Sequence, residues 1–392
     1  MSLVDSERRV LSGMRPTGPL HLGHYHGVLK NWTQLQHSYQ CFFCIADWHA
    51  LSVDQRAGAR LGDAVLDVAL DWLAAGVSPS SATLFVQSQV PEHAELHLLL
   101  SMVCPLDWLQ RLPSCPPNDA LTYGRLGYPL LQAADILLYR AGLVPVGGDQ
   151  LAHVAFAREL AQRFNQHYGC EPDFEAKAEA AILKLGKKTG ALYRRLRSAY
   201  QLEGDDEALN TARALLKEQQ AITLGDRERL FGYLEGGARV LLPEPQALIG
   251  DALRLPGLDG LPMSRSADNA IFLSDSPAVV EEKIQRIAVV ADASGESEAC
   301  RVWQLRQAYA GAVSGEQIES GCRAAGGDCQ TCKAALIETI NAELAPLQAR
   351  GAEYRDNPLL VQRILADGAE RARSEARDTL VDVRQALGLN YR

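Results

Sequence analysis

Short apolar runs alternate with helical patterns over roughly the first 170 residues of the chain. Val10–Ser12, Cys41–Ala46 and Ala82–Gln87 have the length and composition of buried strands. Between the last two runs, Ala64–Leu73 carries its apolar side chains at helical spacing. Because strands alternate with helices, the pattern predicts a doubly wound parallel sheet, and we expect an α/β fold.

The rest of the chain is predicted to be helical apart from one loop-rich stretch. Mixed charge and alanine-rich helical patterns indicate an inserted helical subdomain, and Pro243, Pro245, Pro256 and Pro262 then mark a loop-rich return to the sheet. Ser276 and Pro277 suit a helix start, and helices are expected at Ala278–Ala288, Val302–Ala312, Thr331–Arg350 and Pro358–Leu387. We expect four regions: the first part of the sheet domain at 1–174, the insertion at 175–240, the sheet return at 241–276, and an all-helical domain at 277–392.

Composition and charge narrow the class of protein. A hydrophobic content of 47% and a charged content of 22% are typical of a soluble globular protein. The net charge of −9 argues against indiscriminate binding of polyphosphate. The basic stretch from Lys184 to Arg197 is either a solvated helix surface or a contact for RNA phosphates. The N-terminus lacks the apolar core of a signal peptide, and no later run is long enough to cross a bilayer, so we expect a cytoplasmic protein with no membrane contact.

The spacing of the cysteines is informative because thiols stay reduced in the cytoplasm. Four of them follow the pattern C-x21-C-x6-C-x2-C: Cys300, Cys322, Cys329 and Cys332. This pattern fits ligation of zinc or of a four-iron, four-sulfur cluster by four thiolates; the alternative is four buried structural thiols. Cys41 and Cys44 form a further C-x2-C, but a strand points them to opposite faces, so we expect both in the core.

Two histidines lie in the segment Gly13–His24, between the first predicted strand and a helix with apolar periodicity. At a helix N-terminus the free backbone N–H groups and the helix dipole favour phosphate, to which His21 and His24 can donate hydrogen bonds. Gly23 would let a nucleotide approach the backbone. A metal-binding pair and two surface histidines are the alternatives. The position after a strand of a doubly wound sheet favours phosphate.

A single carboxylate interrupts the apolar helical run Gly127–Tyr139. Burying Asp135 would cost several kcal/mol unless it were paired or hydrogen-bonded. The indole N–H, which only donates, is one group from which such a carboxylate can accept. The alternative is that Asp135 caps a helix or faces water.

The segment His21-Leu22-Gly23-His24 resembles the first signature of the class I aminoacyl-tRNA synthetases, and Pro16-Thr17-Gly18 resembles the tyrosine and tryptophan members. Leu261–Ser266 matches the second signature in position, with Pro262 and Arg265 where the two lysines are usual. Without the first signature, this loop could equally be a Pro/Ser loop with an incidental arginine. The resemblance implies a Rossmann-like sheet and ATP with Mg²⁺. It implies catalytic roles for His21, His24, Thr17 and Arg265, and ATP contacts by Arg15, Gly23, Asp149, Met263, Ser264 and Ser266.

Two further blocks, Gly127–Tyr139 and Val144–Gln150, are similar to the tryptophanyl-tRNA synthetases. The resemblance implies that Asp135 reads the indole nitrogen, that Tyr128 and Gln150 hold the substrate amino group, and that Asp149 contacts the ribose of ATP. It also implies an indole pocket lined by His49, Val144, Val146, Leu11 and Gln132. The last two stand where that family often has Phe and Met, so the pocket wall departs from the pattern.

The resemblance also bears on partners and on the cysteine set. Some bacterial members carry an iron–sulfur cluster at a nearly identical spacing in the helical domain that docks the anticodon. The resemblance therefore favours such a cluster over zinc at Cys300, Cys322, Cys329 and Cys332, with a role in structure or anticodon contact. It implies L-tryptophan and tRNA(Trp) as partners, a homodimer, and no need for an editing domain.

Two alternative functions stay open at the level of sequence. A tyrosine enzyme is disfavoured because a tyrosine pocket normally needs a tyrosine and aspartate pair around the phenol. A non-acylating paralogue that binds RNA or tryptophan as a sensor is favoured only by Pro262, which removes a usual charge from the second signature.

Overall fold

The computed structural model describes residue 6 and residues 8–112, 122–169, 173–236, 239–249, 255–287, 301–310 and 329–391. Five parallel strands form one sheet: β1 Arg9–Met14, β2 Gln40–Ile45, β3 Ala82–Val86, β4 Leu143–Pro145 and β5 Gln246–Leu248. Their order across the sheet is β3-β2-β1-β4-β5. The predicted doubly wound α/β fold is thus confirmed, and the strand order reverses between β1 and β4.

Alternate residues of a strand pack on opposite faces of this sheet. In β2, Cys41 and Phe43 join one apolar core, whereas Phe42 and Cys44 join the other. Burial on both faces explains why the strands read as continuous apolar runs. The prediction that Cys41 and Cys44 lie in the core is confirmed, since both are buried free thiols.

Helices cover the sheet and connect its strands. A continuous helical run follows β1 and consists of α1 Leu22–His24, a π-helical turn Tyr25–Leu29, and α2 Lys30–Leu35. The following helices of this region are α3 Asp47–Val53, α4 Leu61–Ala75, α5 Glu92–Ser101, α6 Leu106–Gln110, α7 Tyr123–Leu126, α8 Tyr128–Leu138 and α9 Leu151–Tyr168. Single π-turns inside helices often accompany functional sites.

The segment after α9 is a bundle of four helices with its own apolar cluster. They are α10 Phe174–Lys184, α11 Lys187–Glu203, α12 Asp206–Glu218 and α13 Leu224–Leu234. Ile182, Tyr193 and Leu230 belong to the cluster between them, which is separate from the two cores of the sheet. The insertion therefore folds around side chains of its own.

The described residues after Ser276 are mostly helical, as predicted. Their helices are α14 Pro277–Gln285, α15 Arg301–Ala310, α16 Cys329–Asp356 and α17 Pro358–Ala386. Ser276 caps α14, because its side chain accepts a hydrogen bond from the backbone N–H of Val279 (3.4 Å). None of the helices that the structure describes is long and apolar enough to span a membrane.

Helix α17 crosses the edge of the sheet beside β3. Val361 and Leu365 join the core on one face, whereas Ala369 and Ala372 join the core on the other. Gly368 lies between these pairs, where a Cβ atom would come within 1.7 Å of the carbonyl oxygen of Leu84. The helix can approach the strand backbone this closely only because residue 368 has no side chain, and it thereby covers a strand edge that would otherwise be open.

Candidate active site

A cleft of about 1150 Å³ opens at the carboxyl ends of β1 and β4, where the strand order reverses. Open α/β sheets bind ligands at this point. The sequence-predicted residues that line it are Leu11, Arg15, His21, Gly23, His24, His49, Tyr128, Gln132, Asp135, Val144, Val146, Gln150 and Met263. Among the described side chains, Thr17, Ser264, Arg265 and Ser266 do not line it, and the side chain of Asp149 lies outside the described part of the chain.

Backbone hydrogen bonds join the first signature segment to Ile271 and Leu273, which lie just after the second signature loop. The N–H of Leu22 donates to Ile271 O, and the N–H of Leu273 donates to Leu20 O, both at 2.9 Å. Arg265 lies against Gly18, where a Cβ atom would come within 2.5 Å of its guanidinium. Gly18 also has a φ of +102°, which favours glycine. Arg265 thereby comes close to the two histidines although more than 240 residues separate them in sequence.

His21 and His24 are both neutral near pH 7. Burial lowers the pKa of His21 to about 3, and the nearby His24 and Arg265 add to this effect. Burial and Arg265 likewise lower the pKa of His24 to about 4. The Nδ1 of His24 accepts the backbone N–H of His21 (3.3 Å), which leaves Nε2 to carry the proton. His24 can therefore donate one hydrogen bond without bringing a charge.

The ring of His21 lies over Gly23. A Cβ atom on residue 23 would come within 2.9 Å of His21 Nδ1, and within 3.5 Å of the Cβ of Met263. Gly23 is thus needed for the packing of His21 between the two signature segments. Its predicted contact with a nucleotide stays a prediction.

Asn269 holds the second signature loop in place through hydrogen bonds. No sequence pattern pointed to Asn269. Its Oδ1 accepts the backbone N–H of Ser264 (2.7 Å), and its Nδ2 donates to the carbonyl oxygen of Pro262 (3.1 Å) and to Asp259 (2.8 Å). Asn269 is only 2% exposed, so it holds a surface loop from within. Pro262 lacks the usual lysine charge, yet its carbonyl remains part of this support.

Asp71 of α4 holds the start of the histidine segment. Its Oδ2 accepts the backbone N–H of Leu20 at 2.6 Å, and the residue is 5% exposed. Burial raises the pKa of Asp71 to about 7, although the hydrogen bond from Leu20 works in the opposite direction. The carboxyl group therefore gains a proton in the folded protein at a pH at which it would be ionised in the unfolded chain.

We expect the substitution Asp71→Asn to stabilise the protein increasingly as the pH rises above about 4, with the full effect above pH 7. A pKa raised from 3.8 to about 7 means that the folded state binds an extra proton between these values, so stability falls as the pH rises through this window. Asparagine keeps an oxygen for Leu20 and cannot ionise. Urea unfolding should show the variant more stable by up to about 4 kcal/mol at pH 8, the equivalent of about three pKa units, and close to wild type near pH 3. An equal loss of stability at both pH values would contradict the charge argument.

The carboxylate of Asp135 is buried and accepts hydrogen bonds from three side chains. His93 Nδ1 lies 2.6 Å from Oδ1, His49 Nε2 lies 3.0 Å from Oδ2, and Gln87 Nε2 lies within 2.9 Å of both oxygens. His93 is held in turn by the hydroxyl of Tyr139 (2.7 Å). No sequence pattern pointed to His93 or Gln87, which lie more than 40 residues from Asp135.

These partners keep Asp135 ionised despite its burial. Burial alone would raise the pKa of Asp135, but His93 and His49 outweigh it and hold the pKa well below its usual range. Because His49 Nε2 faces the carboxylate, its buried Nδ1 is left with no hydrogen-bond partner among the described residues. The pocket thus combines a fixed negative charge with an unpaired imidazole nitrogen.

A partly buried acidic residue connects the histidine segment to the C-terminal helices. Glu343 of α16 binds His26 Nε2 at 2.8 Å and Lys30 Nζ at 2.7 Å. Burial raises the pKa of Glu343, but these two partners prevail and lower it to about 2. Helix α16 therefore contributes directly to the position of the helical run that begins at Leu22.

The predicted cysteine set falls largely outside the described residues. Cys300, Cys322 and the side chain of Cys329 are not described, whereas Cys332 lies in the first turn of α16, with Arg306 Nη1 at 3.2 Å from its sulfur. Within the described ranges, no group of three or more His, Cys, Asp or Glu side chains is arranged to hold a metal ion.

The chain is similar to known proteins over nearly its whole length. A family profile described as tRNA synthetases class I (W and Y) matches residues 5–189 and 208–311. A tryptophan–tRNA ligase from Ralstonia nicotianae is 52% identical over 98% of this chain and 99% of its own length. Another from Thermotoga maritima is 33% identical over 98% of this chain and all of its own length.

The fold is also similar to a solved structure. The tryptophanyl-tRNA synthetase from Campylobacter jejuni, crystallised with ADP and tryptophan, superposes with a TM-score of 0.70 at 24% identity. The match covers 97% of this chain and 99% of that one. At this identity the likeness concerns the fold, and the site must be argued from its own residues.

Proposed function

The chain belongs to the class I tRNA synthetases for tryptophan and tyrosine, and we propose that it activates L-tryptophan with ATP and transfers the tryptophanyl group to tRNA(Trp). The observation that carries the substrate assignment is the buried, ionised carboxylate of Asp135 in the cleft of the histidine segment. It supplies an acceptor that an indole N–H can use and an apolar hydrocarbon cannot.

The proposed chemistry needs orientation and charge stabilisation, with no nucleophilic side chain. A carboxylate oxygen of tryptophan attacks the α-phosphorus of ATP, and pyrophosphate leaves from the opposite side. The N–H groups of His21 and His24 and the guanidinium of Arg265 would stabilise the growing negative charge, and Mg²⁺ would accompany the phosphates. In the second step, a hydroxyl of the terminal tRNA ribose attacks the carbonyl carbon and AMP leaves.

The direct test is exchange of labelled pyrophosphate into ATP in the presence of Mg²⁺ and one amino acid. We expect exchange with tryptophan and none with tyrosine, followed by charging of tRNA(Trp) when that RNA is added. Exchange with tyrosine would favour the tyrosine enzyme. If neither tryptophan nor tyrosine supported exchange, the result would favour a sensor that no longer acylates tRNA.

Arg265→Ala is expected to lower kcat for this exchange by about 10²-fold and to leave the affinity for tryptophan unchanged. Arg265 is a fixed charge that lowers the pKa of both His21 and His24, and removing such a group typically costs 10²–10³-fold in rate. Arg265→Lys should recover only part of the loss, because an ammonium cannot bind two oxygens at once. Arg195→Ala, at an exposed site on α11, is the matched control. A loss below threefold for Arg265→Ala would contradict the role.

We also propose that residues 277–392 bind the anticodon arm and that the four cysteines hold a four-iron, four-sulfur cluster. The spacing of the set supports this, and so does the guanidinium of Arg306 at 3.2 Å from Cys332, since a cationic donor suits a metal-bound thiolate. Such a cluster would act in structure or RNA contact, because amino-acid activation needs no electron transfer.

Iron and acid-labile sulfide measured on anaerobically purified protein would test the cluster. We expect about four of each per chain, lost in Cys332→Ala and kept in Cys104→Ala, whose cysteine stands outside the set. If the protein were colourless and bound one zinc ion, the four cysteines would form a zinc site and not an iron–sulfur cluster. If the protein bound neither iron nor zinc, the four cysteines would be structural thiols.

We further propose a homodimer that works in the cytoplasm, where its tRNA is used. Leu98, Met102 and Leu106, on α5 and the following segment, are 55–66% exposed and form an apolar surface suited to a second copy. Sedimentation should give a dimer for wild type and a monomer for Met102→Lys combined with Leu106→Lys. A wild-type monomer at micromolar concentration would exclude the dimer.

A further inference from the structure

Three side chains form a line of hydrogen bonds at the wall of the cleft. The Nδ1 of His153 lies 2.8 Å from Gln132 Oε1, and Gln132 Nε2 donates to Gln150 Oε1 at 3.0 Å. Gln132 and Gln150 line the cleft, and His153 is 8% exposed. His153 lies in the first turn of α9, and its ring is 6.2 Å from the ring of Tyr128.

The line has a direction because each group can donate or accept only at particular atoms. When His153 donates through Nδ1, the oxygen of Gln132 is the acceptor and its amide nitrogen must face Gln150. The oxygen of Gln150 is then held toward Gln132, with a second lone pair left over. If the carboxamide of Gln150 turned over, its amide hydrogens would oppose those of Gln132.

An ammonium group can only donate hydrogen bonds, so it needs an oxygen that stays in place. We propose that His153 is a positioning residue for the amino group of tryptophan: it orients Gln132, and Gln132 fixes Gln150 with its oxygen available as the acceptor. This inference depends on the proposed function, in which Gln150 and Tyr128 hold the substrate amino group. The tryptophanyl-tRNA synthetases often have methionine at the position of Gln132, and a methionine could not donate a hydrogen bond to Gln150.

The proposal predicts an effect confined to ligands that carry the amino group. His153→Ala should raise KM for tryptophan in pyrophosphate exchange roughly tenfold, the range of one hydrogen bond to a charged group, and change kcat less than threefold. The inhibition constant of indole-3-propionate, which lacks the amino group, should stay within twofold. An equal weakening of both ligands would indicate a merely structural role and overturn the proposal.

Two further variants test the direction of the line. His153→Asn places an amide nitrogen near the position of Nδ1 and should restore most of the tryptophan KM. In a Gln132→Met background, His153→Ala should have no further effect, because the link to Gln150 is already broken. If the two effects simply multiplied, His153 would act by another route and the proposal would be wrong.

The control is His167→Ala, at an exposed histidine near the other end of α9, which should leave every parameter unchanged. Unfolding midpoints of all variants separate a loss of folding from a loss of positioning. A failure of the proposed function and a failure of the proposed role of His153 would give different results. Wild-type protein without tryptophan-dependent exchange would remove the proposed function, whereas normal wild-type exchange with an unchanged KM in His153→Ala would remove only the role of His153.

Discussion

Asp135→Ala is expected to lower kcat/KM for tryptophan in pyrophosphate exchange by a factor on the order of 10³ or more. The substitution removes a carboxylate that is buried and ionised, and with it the acceptor proposed for the indole N–H. A site built to hydrogen-bond a substrate N–H loses much of its selectivity when the acceptor is gone. The loss should therefore affect the choice of substrate as well as the rate.

An analogue without an indole N–H separates selection from general damage. We compare tryptophan with 3-benzothienylalanine, in which sulfur replaces the nitrogen. Wild type should prefer tryptophan strongly, and Asp135→Ala should handle both about equally poorly. If the variant kept the wild-type preference, Asp135 would not read the indole.

Control measurements must account for the groups that Asp135 holds. Its removal leaves His93 and Gln87 without their acceptor, which costs about 1–3 kcal/mol. Asp135→Asn keeps the volume and one oxygen, so it should fold better than alanine and still lose the charge. Unfolding curves of both variants, together with affinity for ATP, show whether the site survives around the lost carboxylate.

Gly368→Ala is expected to destabilise the protein by about 4 kcal/mol or more, which is the range of severe core disruption. The added Cβ would meet the carbonyl oxygen of Leu84 at 1.7 Å, and the obstructing atom belongs to a strand backbone that has little freedom to move. Helix α17 would have to shift away from β3. That shift would open both apolar cores, because the helix contributes side chains to each of them.

Chemical unfolding of Gly368→Ala against Gly62→Ala measures this effect. Gly62 is an exposed helical glycine with open space around its missing Cβ, so alanine there should be neutral or stabilising by up to about 1 kcal/mol. A Gly368 variant within 1 kcal/mol of wild type would show that α17 does not depend on this contact.

The stability of α17 also bears on the site around Asp135. Arg373 and Arg377 of α17 contact Glu92, and Arg384 binds Glu95, both on α5. Helix α5 also carries His93, which binds Asp135. A displaced α17 should therefore weaken tryptophan binding before the protein unfolds, and exchange assays on Gly368→Ala at low temperature would detect this.

The strands that the sequence predicted correctly are those with continuous apolar runs. β1, β2 and β3 are five or six residues long and buried on both faces, which leaves a clear signal. β4 and β5 have three residues each, including Pro145, and such short elements carry no periodicity. α16 runs through Pro346, as predicted, because packing against α4 and α14 outweighs the local preference of proline to end a helix, and it ends at Asp356, six residues past the predicted end at Arg350.

The candidate site divides in the same way. His21, Gly23, His24, Asp135 and Gln150 could be selected from short motifs, since each stands in a local pattern with a chemical meaning. His93, Gln87, Asn269 and Asp71 stand in no such pattern. Each is defined by a hydrogen bond to a residue that the motifs did identify or to the loop beside it.

By itself, the sequence determined the parallel sheet, the histidine-bearing turn after β1, the opposite burial of Cys41 and Cys44, and the presence of one carboxylate in an apolar helix. These features depend on neighbours within a few positions, where periodicity and helix-end chemistry act. Only the tertiary structure decided that His93 and His49 keep Asp135 charged, that hydrogen bonds join His153 to Gln132 and Gln132 to Gln150, and that α17 covers β3. The physical reason is that these contacts join residues tens to hundreds of positions apart, whose meeting depends on how whole elements pack.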